Sequence, residues 1–104
     1  MILNKEELLN DVLSAFVEAG ITKGTIIHSE GMGSVLAYDI PVFAGLRQLM
    51  GDSKKANKTI LAMVKDESAI SELKKILADA GVDFSKPGTG ILFSVPVTDV
   101  LSNN

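Results

Sequence analysis

Two glycine-rich elements are the parts of this chain best suited to chemistry. Gly31-Met32-Gly33 follows an apolar, β-branched run, and Pro87-Gly88-Thr89-Gly90 precedes another. Glycines let backbone N–H groups approach a phosphate or other anion with no side chain in the way. Taken alone, either element also reads as ordinary turn chemistry, because glycine is the default residue where a chain reverses. Arg47, Lys54, Lys55 and Lys58 lie between them and supply cations for an anion, although Lys54 and Lys55 read equally well as a solvated face.

Catalytic constellations are missing by contrast. The chain has one His, His28, and no Cys. A thiol nucleophile, a disulfide and a thiolate metal site are therefore excluded. No Ser stands in a nucleophile-elbow setting, so no triad can be built around His28, which reads as structural. No cluster of carboxylates has metal-ligand spacing around it either. Acylphosphatase chemistry would need an Arg in a glycine-rich loop, and the one Arg, Arg47, lies in the middle connection. The expectation is a binding protein rather than an enzyme, with neither catalytic nor metal-ligating residues.

The elements that would carry the glycines follow from pattern. The length of 104 residues is that of one domain, spanning 1–104. With 46% hydrophobic and 22% charged residues the chain is globular rather than disordered. Its net charge of −3 weighs against nucleic acid or an anionic membrane as partner. No apolar run approaches the roughly 18–20 residues needed to span a bilayer. The start, Met1 to Glu7, reads as neither signal nor transit peptide, so the expected location is cytoplasmic.

Asn4 reads as a helix N-cap with Glu7 as its capping-box partner, opening a helix over 5–19 that Gly20 ends. Gly24 to Ser29 and Asn57 to Val64 read as strands, and Gly90 to Val95 as the last one. Asp66 caps a second helix whose stripe is Ile70, Leu73, Ile76, Leu77 and Ala80, and Gly81 stops it. The two helices end alike, Glu18-Ala19-Gly20-Ile21-Thr22 and Asp79-Ala80-Gly81-Val82-Asp83, which suggests a duplicated strand–helix–strand unit. With Met1, Ile2 and Leu3 as a short first strand, the fold class is α+β. It is a ferredoxin-like βαββαβ sandwich, an antiparallel sheet covered by two helices.

Residues 30–56 form a connection too long and too apolar for a bland loop. Pro41 can open a helix, and Val42, Phe43, Leu46, Leu49 and Met50 form its stripe, so a short extra helix is expected near 41–50. That stripe and the uncovered sheet face would be an exposed apolar patch in a monomer, which points to a homo-oligomer.

These motifs resemble those of the PII (nitrogen regulatory protein P-II) signalling proteins. The run from Gly24 to Gly33 is similar to their second strand and T-loop start. Pro87-Gly88-Thr89-Gly90-Ile91-Leu92-Phe93-Ser94-Val95-Pro96-Val97 is similar to their B-loop and fourth strand. Gly33 to Lys58, with Asp39-Ile40-Pro41-Val42-Phe43, looks more like the PII-like branch. The resemblance spans nearly the whole chain. It implies a homotrimer that senses a small effector, an adenine nucleotide such as ATP, ADP or AMP, in clefts between subunits. It also implies a T-loop that reports to a target protein, such as a membrane transporter or an enzyme. Thr25, Gly31, Met32, Gly33 and Ser34 would line one side of the cleft, and Gly88, Thr89 and Gly90 would cradle phosphates from the other, with Lys58 supplying compensating charge. Two departures bear on affinity. Ile91 stands where the family has a basic residue, and no Arg-containing C-terminal loop appears through Asn104. Two other readings remain open, a structural or protein-interaction trimer without a ligand and a metal-responsive trimer resembling the CutA group.

Overall fold

The computed structural model describes residues 1–46 and 56–102. Its elements run β1 (Ile2–Leu3), α1 (Leu9–Glu18), β2 (Gly24–Glu30), α2 (Met32–Asp39), β3 (Ala56–Ala62), α3 (Glu67–Asp79) and β4 (Gly90–Ile91). The strands form one sheet in the order β2-β3-β1-β4, and every neighbouring pair is antiparallel. The protein is therefore α+β, with a four-stranded antiparallel sheet and three α-helices among the described residues.

Each helix has a local cause. The first turn of the chain departs from the expected capping box. Residues Glu6–Leu8 form a 3-10 turn and the α-helix begins only at Leu9. The Asn4 side chain caps nothing; it accepts a hydrogen bond from the Asn57 side chain across the sheet instead. In α3 the expected cap is present, with Asp66 accepting from the Ser68 N–H at 2.9 Å. Both helices end on the same motif. Gly20 and Gly81 take φ of +83° and +80°. Ile21 N–H then reaches Phe16 O at 2.8 Å, and Val82 N–H reaches Leu77 O at 2.9 Å. This is the Schellman pattern, in which the residue after the glycine bonds back over the last turn and buries its own side chain. Ile21 and Val82 are both buried.

Side chains alternate across a strand, so each sheet face can be read off the register. Leu3 and Ile60 point into the core with Met1, Val12, Ala15, Phe16, Leu73 and Leu77, which places α1 and α3 on that face. The opposite face carries Ile2, Thr25, Ile27, Ser29, Asn57, Thr59, Leu61 and Ile91. None of these eight is charged, in a chain where 22% of residues are. Ile27, Leu61 and Ile91 are 41%, 57% and 52% exposed.

The middle connection differs from expectation in its order. A helix, α2, starts directly after β2, and Pro41–Leu46 adds a 3-10 segment where the extra helix was expected. The glycine turn at 31–33 is thus the first turn of a helix, not a loop. The pairing Gly31-x-Gly33 suits a loop by composition, but Ser34, Val35, Leu36 and Ala37 continue it as a helix with Ser34 and Ala37 buried. Arg47, Leu49, Met50, Lys54 and Lys55, and the Phe43 and Leu46 side chains, lie outside the described residues. The last strand is shorter than expected. Gly90 and Ile91 pair with Leu3 and Ile2, and Leu92 packs on the core, but no ladder continues to Val95 because β1 offers only two paired residues. Among the described residues, no helix is long and apolar enough to cross a membrane.

Candidate functional site

β2 ends and β4 begins at the same end of the sheet, so both glycine elements sit there. Between them runs a line of polar side chains. Ser29 donates to Asn57 Oδ1 at 2.5 Å, and its oxygen lies 2.8 Å from Thr59 Oγ1. With the Ser29 proton on Asn57, Thr59 is the donor to Ser29. Asn57 then donates through Nδ2 to Asn4 Oδ1 at 3.2 Å, and Asn4 N–H donates to Thr89 O at 2.9 Å. The line ties all four strands together at the end where the glycines lie. Asn57 is 6% exposed, and a Cβ on Gly31 would lie 3.8 Å from its amide nitrogen. Ser29, Asn57 and Thr59 do not stand out in the sequence, and Asn4 reads there as a helix N-cap. The available signal was an Asn near the start of β3, a residue type that strands disfavour unless the amide is engaged.

The expected cleft residues fall into two groups. Gly31 is the N-cap residue of α2, with φ −72° and ψ 142°, and no side chain caps that helix. The N–H groups of Met32, Gly33 and Ser34 head the first turn, where helix geometry leaves them without intrahelical acceptors. Met32 is 77% exposed and Ser34 is buried. Thr25 lies six residues before Gly31 on the uncharged face, toward the far end of β2.

The second group is more committed to the fold. Thr89 is 1% exposed, and its carbonyl accepts from both Asn4 and Lys5 N–H. Gly90 takes φ +140°, and a Cβ there would come 2.1 Å from Ile2 O. Its glycine is required for β4 to lie against β1. Gly88, at φ +82°, has open space around it. Lys58 lies on the helix-covered face, and its Nζ pairs with Glu6 Oε1 at 2.6 Å. It therefore faces away from Thr25 and Ser29.

Across the sheet, β2 and β4 are separated by two strands, so the two glycine elements stand roughly 14 Å apart at a strand spacing of about 4.8 Å. One phosphate cannot touch both within a single chain. An open apolar groove of about 220 Å³ lies elsewhere, between α1 and β2, lined by Leu13, Phe16, Val17, Ile21, Ile26 and Ile60. It opens near Gly24, the end of β2 away from Gly31. His28 is exposed on β2 opposite Lys58. Among the described residues, no group of three or more His, Cys, Asp or Glu is placed to hold a metal ion.

Comparison with family models, with curated proteins and with solved structures finds no match.

Proposed function

We propose that this protein is a PII-like sensor, a homotrimer that binds a small anionic effector of the adenine-nucleotide class in clefts between subunits and reports its state to a target protein. The arrangement that supports the reading is the placement of the glycine elements at one end of the sheet but on its two opposite edges. A cleft using both must be closed by a second copy. The strand order β2-β3-β1-β4 agrees with a ferredoxin-like sandwich, which the reading adopts. No catalytic step is assigned to the protein.

The uncharged sheet face supports self-association. Covering Ile27, Leu61, Ile91 and Phe93, each roughly half exposed, contributes about 1 kcal/mol apiece. Their sum is comparable with a large part of the stability of a small domain. A second reading, a trimer without a ligand, draws on the burial of Thr89 and the pairing of Lys58 with Glu6, which take two expected phosphate contacts out of use.

Two measurements on the full chain separate these. Light scattering after size exclusion is expected to give three times the 11.0 kDa chain mass. Calorimetric titration with ATP, ADP, AMP and cyclic nucleotides is expected to give saturable heat with at least one of them. A trimer silent to all of them supports the ligand-free reading, and a monomer at high micromolar concentration removes both.

A further inference from the structure

The start of α1 holds two competing instructions. Asn4, followed by Lys5, Glu6 and Glu7, has the spacing of a capping box, with Glu7 three residues after the cap. The folded chain gives Asn4 another partner. Asn57 Nδ2 donates to Asn4 Oδ1 at 3.2 Å, the long end of the hydrogen-bond range. With that oxygen taken, no side chain caps the first turn, and Glu6–Leu8 winds as a 3-10 helix. Leu8 N–H reaches Lys5 O at 3.0 Å, three residues back rather than four. The N–H groups of Glu6 and Glu7 have no acceptor among the described residues.

The two arrangements are close in free energy. A neutral side-chain hydrogen bond and an Asn N-cap are worth about the same. Changing between them needs only a rotation of the Asn4 side chain, which is exposed. The Asn4 backbone stays fixed, because its N–H donates to Thr89 O at 2.9 Å. Once turned, Asn4 Oδ1 accepts from the Glu7 N–H, and Leu8 N–H takes Asn4 O as its acceptor, in α-helical register.

That change moves a charge. A 3-10 helix turns about 120° and rises about 2.0 Å per residue, against about 100° and 1.5 Å in an α-helix. Over Glu6–Leu8 the difference accumulates to about 60° and 1.5 Å. Glu6 lies at the far end of that stretch, and its carboxylate is the one that holds Lys58 Nζ at 2.6 Å. We propose that Asn4 is a two-position latch. Bonded to Asn57, it keeps the 3-10 turn and the Glu6–Lys58 pair. Released, it caps an α1 that begins one turn earlier, swings Glu6 away and frees the Lys58 ammonium. Only the use of the latch rests on the effector reading above: a freed Lys58 adds a cation at the end of the sheet where both glycine elements lie. The latch itself needs neither a ligand nor a second copy.

Two substitutions at Asn4 separate the roles of its side chain. Asn4→Ser keeps an oxygen that caps as well as Asn does, on a side chain too short to hold Asn57. Asn4→Ala keeps neither. In Asn4→Ser, NMR is expected to show Cα shifts of Lys5–Leu8 at α-helical values and a Glu7 amide that exchanges about fivefold more slowly than in the wild type. Lys58 should react severalfold faster with an amine-acylating reagent at fixed pH, read by mass spectrometry. In Asn4→Ala the Glu7 amide should exchange no more slowly than in the wild type. Wild-type shifts and exchange in Asn4→Ser overturn the latch, and so does an equal gain of helix in Asn4→Ala, since the cap would then not be its cause. A longer helix with Lys58 reacting at the wild-type rate overturns the link to the ion pair. All of these are read without ligand, so none of them bears on the effector reading, which stands or falls on the calorimetric titration.

Discussion

Gly90 separates a strand requirement from a ligand requirement, and the structure sets the size of the effect. Consider Gly90→Ala. The backbone there has φ +140°, a region that L side chains rarely enter, and holding a side chain in it costs about 1–3 kcal/mol. The new Cβ would also meet Ile2 O at 2.1 Å, well inside contact distance, and the atom it meets is backbone. Relief requires β4 to withdraw from β1. That loosens the Ile2·Ile91 pairing and the Asn4 N–H to Thr89 O bond, at about 0.5–1.5 kcal/mol for each hydrogen bond lost. The total is about 3–5 kcal/mol, a large fraction of the roughly 5–15 kcal/mol that holds a native protein together. Gly88→Ala is the internal reference. Its φ of +82° is also left-handed, but nothing lies within 4 Å, so only the conformational cost of about 1–2 kcal/mol applies. Urea unfolding followed by circular dichroism, at one protein concentration, is expected to place the Gly90→Ala midpoint below that of Gly88→Ala by about 1 M. Equal midpoints would refute the argument. A Gly90→Ala protein that kept wild-type stability but lost nucleotide binding would show that the glycine serves the ligand and not the strand.

Two further expectations concern the polar line and the helix cap. Asn57→Ala removes the one side chain that joins Ser29 to Asn4 and leaves a half-buried hydroxyl and an amide oxygen short of partners. It should cost about 1–3 kcal/mol in urea unfolding, more than Thr59→Val, which removes an end of the same network. Asp66 accepts from Ser68, first through the hydroxyl and then through the N–H, which holds its carboxyl below its ordinary value of 3.8. A carboxyl whose folded pKa is depressed stabilises the protein above its unfolded pKa and loses that contribution as pH falls below it. The melting temperature should therefore drop on acidification below about pH 4, and Asp66→Ala should lower it at pH 7 while flattening that acid limb. An unchanged acid limb would remove Asp66 as its source.

What the sequence made legible is what depends on local pattern. The helix stops at Gly20 and Gly81 were readable because one residue type at one position permits the Schellman turn, and both formed as expected. The Asp66 cap was readable for the same reason. Asn4 was misread because a cap and a cross-strand partner use the same amide, and only the arrival of Asn57 from another strand decides between them. The helix at Met32–Asp39 was missed because a glycine on each side of Met32 depresses helix propensity, while the burial of Ser34 and Ala37, which only the folded chain supplies, offsets it. The candidate cleft residues were legible as types, but which side each faces was not. Lys58 turns to the helices and Thr25 to the open face, because strand register, set by β3 pairing with both neighbours, assigns them.

The two halves of the proposed cleft differ in what they have left to give. On the β4 side, Thr89 spends its carbonyl on Asn4 and Lys5 and buries its side chain, and the glycine at 90 is demanded by Ile2. Only Gly88 there has open space around it. On the α2 side, Met32, Gly33 and Ser34 head a helix that no side chain caps, with their N–H groups pointing out of its first turn. An anion gains most where donors lack partners, because there it satisfies groups that otherwise rely on water. Lys58 has little charge to add, since it is already paired with Glu6. Binding in such a cleft would thus depend on backbone donors from one subunit closed over by the turn of the next. Assembly and ligand affinity are then coupled: a substitution that loosens the edge between copies weakens the effector site without touching any residue that contacts it.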